Sequence, residues 1–129
     1  MEISQKMLFT GSLFMFLAVI LGAIASHYLE QIISLESILS FEVGVRYMVY
    51  HALALLILSG KEFHSKQSKR FVFRMFTYGI VLFSGSIFLL SFKTMLPFPV
   101  SWMGPITPIG GGLLILGWGL SAWSFFKKP

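Results

Sequence analysis

The residues that could do chemistry are concentrated in one otherwise apolar stretch, Val43 to Ser59, which contains Arg46, Tyr47, Tyr50 and His51. A charged side chain at membrane depth costs about 2.5–3.5 kcal/mol, so such groups usually face a bundle interior and find a partner. Glu42 lies four residues before Arg46, where a helix puts both on one face and makes a carboxylate–guanidinium pair available. With Arg46 at 0°, Tyr50 falls at about 40°, Tyr47 at about 100° and His51 at about 140°, one broad side of a helix. His27 closes the preceding apolar run, Ser84 and Ser86 lie in the third, and Thr107 opens the fourth. Two readings follow. In one, these groups line a polar ligand pocket in the outer half of a bundle, with Arg46 anchoring an anion or headgroup and His27 and His51 exchanging protons. In the other, Glu42–Arg46 is a structural ion pair, the tyrosines are interfacial anchors and His51 bridges two helices by a hydrogen bond.

The elements that must position these groups follow from composition. The chain has 129 residues, of which 56% are hydrophobic and 12% charged, with a mean hydropathy of +0.81; soluble domains carry roughly 25% charged residues. At about 20 residues per crossing, this length holds four spans and little else. The apolar runs sit at about 8–27, 43–59, 71–92 and 106–126, so the expected fold is an all-α bundle of four transmembrane helices in one domain. A cleaved signal peptide is the rival reading of the first run, whose roughly 19 apolar residues exceed the 7–15 of a signal core. Lys6, Lys61, Lys66, Lys69, Arg70, Arg74, Lys127 and Lys128 fall on one side of such a bundle, against Lys93 alone on the other. Basic loops stay cytoplasmic, so both termini are expected inside and the protein in the cytoplasmic (inner) membrane.

The loops carry further expectations. The segment Tyr28 to Phe41 mixes apolar and polar residues at helical spacing; it either lies along the interface or belongs to a long, tilted second span starting near Leu35. Pro97, Pro99, Gly104 and Pro105 forbid a continuous helix in the third connection, and Phe98 and Trp102 suit an interfacial belt. Pro108 is tolerated in a first helical turn, and the glycines after it allow another backbone or an anion to approach the start of span four. His64 reads as a solvated loop residue. Close packing is expected along Gly11, Ala18, Gly22, Ala25 and Ser26 in span one, along Gly110, Gly117, Ser121 and Ser124 in span four, and near Gly79 and Gly85 in span three.

Much chemistry is excluded or unsupported. The chain has no Cys, Asp or Asn, which removes disulfides, thiolate sites, Asp-based triads and Asn glycosylation. It lacks a His-Glu-x-x-His motif, a nucleophile elbow and the Lys of a phosphate loop. No catalytic residue, metal or cofactor is therefore expected, nor is an enzyme. The net charge of +5 sits in membrane-flanking positions without a nucleic-acid-binding motif, so the expected partners are membrane lipid, another membrane protein or a second copy, and no nucleic acid.

The stretches Gly22-Ala23-Ile24-Ala25-Ser26-His27, Arg46 to Ala54, Leu82 to Ser86 and Ile106 to Gly111 resemble the small four-span bacterial family called domain of unknown function 423, with eukaryotic relatives named transmembrane protein 256. The family typically has Gly-Ala-Phe-Gly-Ala-His at the first stretch, so Ala25 and Ser26 depart from it while His27 matches. The resemblance covers nearly the whole chain and implies the same four-span topology. It adds no reaction. It also implies that His27, Tyr47, His51, Ser84, Gly85, Ser86, Thr107, Pro108 and Gly110 form one structural or functional core. Two functions remain. One is an accessory or scaffold protein that binds lipid or a membrane partner. The other is a small oligomeric transporter or channel for an anion or proton, although no span offers a polar lining towards the cytoplasmic side.

Overall fold

A computed structural model describes residues 1–128. Four helices, each long and apolar enough to cross a membrane, account for most of them: α1 Ile3–His27, α2 Leu35–Ser59, α3 Lys66–Ser91 and α4 Ile106–Lys127. Single 3₁₀ turns at Leu29–Gln31 and Ser101–Met103 interrupt the first and third connections. The fold is all-α, and no strand occurs among the described residues.

Three helices begin several residues before the apolar runs, because their starts are set by hydrogen bonds and not by hydropathy. Ser34 accepts from the Ser37 amide at 3.2 Å and starts α2 at Leu35. Of the two expectations for the first connection, the long second helix is therefore the one adopted. Ser65 caps α3 in the same way, accepting from the Ser68 amide at 3.1 Å. In α4, Pro108 occupies the first turn, where its missing N–H would be unpaired in any case.

Packing follows chain order. α1 lies on α2, α2 on α3 and α3 on α4, with a lighter contact between α1 and α3; the α4 backbone approaches neither α1 nor α2. One core combines Met7, Phe14, Met48, Leu55, Val72, Phe76, Ile80 and Leu114. A second, around Ala25, Leu29, Ile38 and Phe41, closes the end where α1 meets α2, with Phe41 against Phe88 at a centroid distance of 4.8 Å. Leu8, Phe9, Phe16 and Val19 of α1 and Ile109, Ile115, Leu116 and Phe126 of α4 are exposed, as expected of surfaces that meet hydrocarbon.

Glycines set how closely the helices approach. A Cβ on Gly11 would meet the Ala52 carbonyl oxygen of α2 at 2.9 Å. A Cβ on Gly110 would collide with the Phe83 backbone nitrogen and come within 2.8 Å of the Phe83 Cα, so α3 and α4 touch backbone to backbone. The expected stripe in span four is entirely buried. That in span one is buried at Gly11, Ala18 and Ala25, only partly at Gly22, and exposed at Ser26. In span three, Gly79 lies under Leu114 while Gly85 faces open space.

The turn between α2 and α3 is held by one lysine. Lys69 Nζ donates to Ser59 O at 2.7 Å, Lys61 O at 2.9 Å and Ser4 Oγ at 3.0 Å. It thereby caps the carbonyl end of α2, where a cation is electrostatically favoured, and ties the head of α1 to it. On the other side of the turn, Ser124 Oγ accepts from the His64 amide at 2.7 Å, Phe63 packs on Phe125, and Lys128 pairs with Glu62 at 3.1 Å.

Candidate functional site

The polar groups of α2 point in different directions and meet different neighbours. His51 is 4% exposed and reaches into the angle between α3 and α4. Its Nδ1 lies 2.7 Å from the Tyr47 carbonyl oxygen, and Trp118 Nε1 donates to its Nε2 at 2.9 Å. Because the indole can only donate, Nε2 holds the lone pair and Nδ1 carries the proton that the carbonyl accepts. Phe76 stands edge-on to the ring at 5.3 Å, and Phe76 and Trp118 lie 4.9 Å apart. The α2 and α4 backbones stay apart, so the His51–Trp118 pair spans the opening between them. Nothing in the sequence marks Trp118 and Phe76, since an aromatic residue in an apolar run carries no signal of whom it will meet.

Two hydroxyl contacts join the helices nearer the His27 end. Ser84, fully buried, donates to the Gly44 carbonyl at 2.8 Å and bonds α3 to α2. Ser86 donates to Phe83 O at 3.0 Å, which leaves its oxygen to accept from Thr107 at 2.6 Å across the α3–α4 contact. Among the described residues one buried side-chain polar atom, Thr77 Oγ1, has no partner.

Glu42 and Arg46 lie elsewhere on α2. With Gly22, Ala25 and Val45 they line a shallow groove of about 180 Å³ between α1 and α2. Arg46 is exposed and Glu42 half-buried. The expected ion pair between them is not formed: among the described residues the only pair within 4 Å is Lys128–Glu62. Tyr47 packs on Phe83 at 4.8 Å and lies 5.8 Å from Tyr50, both tyrosines being exposed at their outer edges. His27 is exposed at the end of α1. The nine residues expected to share a pocket are thus divided among an α1–α2 groove (Glu42, Arg46), an aromatic cluster (Tyr47, His51, with Tyr50 at its edge), interhelical bonds (Ser84, Ser86, Thr107) and an exposed helix end (His27). Of the nine residues that the resemblance groups together, His51, Ser84, Ser86 and Gly110 are buried, whereas His27, Tyr47 and Pro108 are exposed. Among the described residues no three His or Glu side chains gather as metal ligands would.

Larger recesses sit at the two ends of the bundle. One, of about 430 Å³, lies where α2 and α4 begin and α3 ends; Ser37, Ser40, Ser91, Thr94, Thr107 and Lys93 line it. Arg46 is not among its walls, so the α4 start and Arg46 do not share a site. The other, of about 580 Å³, lies at the head of α1 and the α2–α3 turn. The two have no lining residue in common, and Leu55, Phe76, Ile80 and Leu114 pack between the bundle ends.

Residues 21–111 match the family described as Protein of unknown function (DUF423). The chain belongs to this family. Its DUF423 relatives include the UPF0382 membrane protein of Haemophilus influenzae, 33% identical over 113 residues that cover 88% of this chain and 87% of the relative. The UPF0382 membrane protein YwdK of Bacillus subtilis is 36% identical over 110 residues, 84% and 85% of the two chains. A fission-yeast UPF0382 membrane protein is 34% identical over 106 residues, 79% and 86%. No solved structure matches. The membrane assignment thus stands on four apolar helices and on relatives named as membrane proteins.

Proposed function

We propose that this DUF423 protein is a non-enzymatic accessory protein of the cytoplasmic membrane that associates with lipid at the recesses in its two ends, its basic end facing the cytoplasm. The observation that carries this reading is the use made of the buried polar groups. Buried His51, Ser84 and Ser86 each make a helix-to-helix hydrogen bond, Ser86 with Thr107, and the recesses open at opposite ends with apolar side chains packed between them. A transporter needs polar groups along a path through the membrane. An accessory protein needs only stable helices and surfaces at the interfaces, where polar recesses meet headgroups and the exposed faces of α1 and α4 meet acyl chains or a second membrane protein.

The test is native mass spectrometry on protein extracted mildly from its own membrane, set beside ion and proton flux in proteoliposomes. Retained lipid or a retained membrane partner, with flux no higher than in protein-free vesicles, is the expected result. Saturable flux that Arg46→Gln abolishes would overturn the reading in favour of the small transporter.

A further inference from the structure

We propose that the recess at the basic end is a phosphate site whose source is the headgroup of an anionic phospholipid. This rests on the lipid-associated reading above and names its ligand class. Lys61, Lys66, Lys69 and Arg70 line the recess, together with Glu2 and Glu62. Four cations face two acids, and among the described residues no carboxylate lies within 4 Å of any of the four, Glu62 being paired with Lys128. Lys69 is fixed in place by three neutral oxygens at 2.7–3.0 Å. Its three protons are used within the protein, so it offers the recess a positioned charge without a free donor. Lys66 and Arg70, on the first turns of α3, are exposed and keep their donors for a ligand.

The charge distribution along α3 supports an anion. Lys66, Lys69 and Arg70 stand at its positive end, and no acidic residue occupies its first turn, an arrangement that costs electrostatic energy unless an anion sits nearby. Retention of basic residues on the cytoplasmic side explains their presence at this end of the bundle. It does not explain why they surround a recess or why one of them is immobilised. An adjoining recess of about 270 Å³ shares Glu2, Ile3 and Arg70 and adds Lys6 and Arg74, so that three cations face one acid around the head of α1.

A lipid is favoured over free phosphate by what lies immediately beyond the recess. Leu8 and Phe9 of α1 and Phe71 of α3 are exposed large apolar side chains within a turn or two of its lining residues. A phosphodiester seated among the cations would therefore have its acyl chains continue along an apolar surface.

The experiment is titration of dioleoyl phosphatidylglycerol against dioleoyl phosphatidylcholine, read by native mass spectrometry on the full chain in detergent. It compares wild type with Lys66→Gln/Arg70→Gln and with a control of equal charge loss outside the recess, Lys93→Gln/Lys127→Gln. Helix content and melting temperature are checked for each, and Lys66→Arg/Arg70→Lys tests rescue. We expect preference for the anionic lipid, a loss of about tenfold or more in apparent affinity for the recess variant, less than about threefold for the control, and recovery in the charge-conserving variant. Equal losses in both double variants, or equal binding of the two lipids, would overturn the site. Inorganic phosphate that binds as well to delipidated protein, without lipid competing, would overturn the lipid source. Lipid retained yet indifferent to the recess substitutions would sink this inference alone, whereas no retained lipid together with saturable flux would sink the functional reading beneath it.

Discussion

Replacing Gly110 by Ala tests how the four helices are held together. An added Cβ would collide with the Phe83 backbone nitrogen and lie 2.8 Å from Phe83 Cα and 2.9 Å from Leu82 C. Carbon atoms rest at about 3.5–4.0 Å. The obstacle is backbone, which cannot rotate away, so α4 must move outward from α3 by about 1 Å. Such overpacking costs roughly 1–3 kcal/mol. The movement also stretches the 2.6 Å Ser86–Thr107 bond one turn away, and an interhelical hydrogen bond in a membrane is worth about 0.6 kcal/mol. Gly112→Ala is the control, because nothing lies within 4 Å of its added Cβ. Both variants gain the same helix propensity, so the difference between them isolates the collision and should be about 1.5–3.5 kcal/mol. Equilibrium unfolding in mixed micelles of mild detergent and dodecyl sulfate would measure it, with helix content as the signal. If the two variants agree within about 0.5 kcal/mol, backbone contact at Gly110 does not hold α4 to α3 and the packing argument is refuted.

Trp118→Phe keeps the aromatic packing on Phe76 but removes the donor to His51 Nε2, and should cost about 0.6–2 kcal/mol by the same unfolding measurement. In contrast, Arg46→Gln should change stability by less than about 0.5 kcal/mol, since the side chain is exposed and makes no ion pair among the described residues; a large loss would show that it has a partner. Thr77→Val removes a buried hydroxyl with no acceptor and should be neutral or stabilising in a thermal melt, whereas a clear loss would reveal an unrecognised hydrogen bond. Lys69→Met removes three hydrogen bonds that join α1, the end of α2 and the following turn. It should speed amide exchange at the end of α2 and the head of α1 while leaving the α3–α4 contact protected.

The span count was legible because each crossing leaves a predominantly apolar run about as long as the hydrocarbon is thick, a one-dimensional signal. The small-residue face of α4 was legible too, because helical periodicity alone aligns Gly110, Gly117, Ser121 and Ser124. Helix starts were less so: Ser34 and Ser65 are ordinary cap residues whose role depends on the backbone that they terminate. The candidate site was read least well. Angular position on α2 places Arg46 and His51 on one broad side, but a neighbouring helix occupies only part of that side. His51 turned towards α3 and α4 and Arg46 towards a groove beside α1.

The amino-acid sequence by itself determined that the chain is a bundle of membrane-length helices with its positive charge gathered at one end, because hydropathy and charge act locally along the chain. The tertiary structure alone decided which polar groups meet. Trp118 reaches His51 from 67 residues away and Lys69 reaches Ser4 from 65, and such pairings depend on how two helices cross, which no local pattern records.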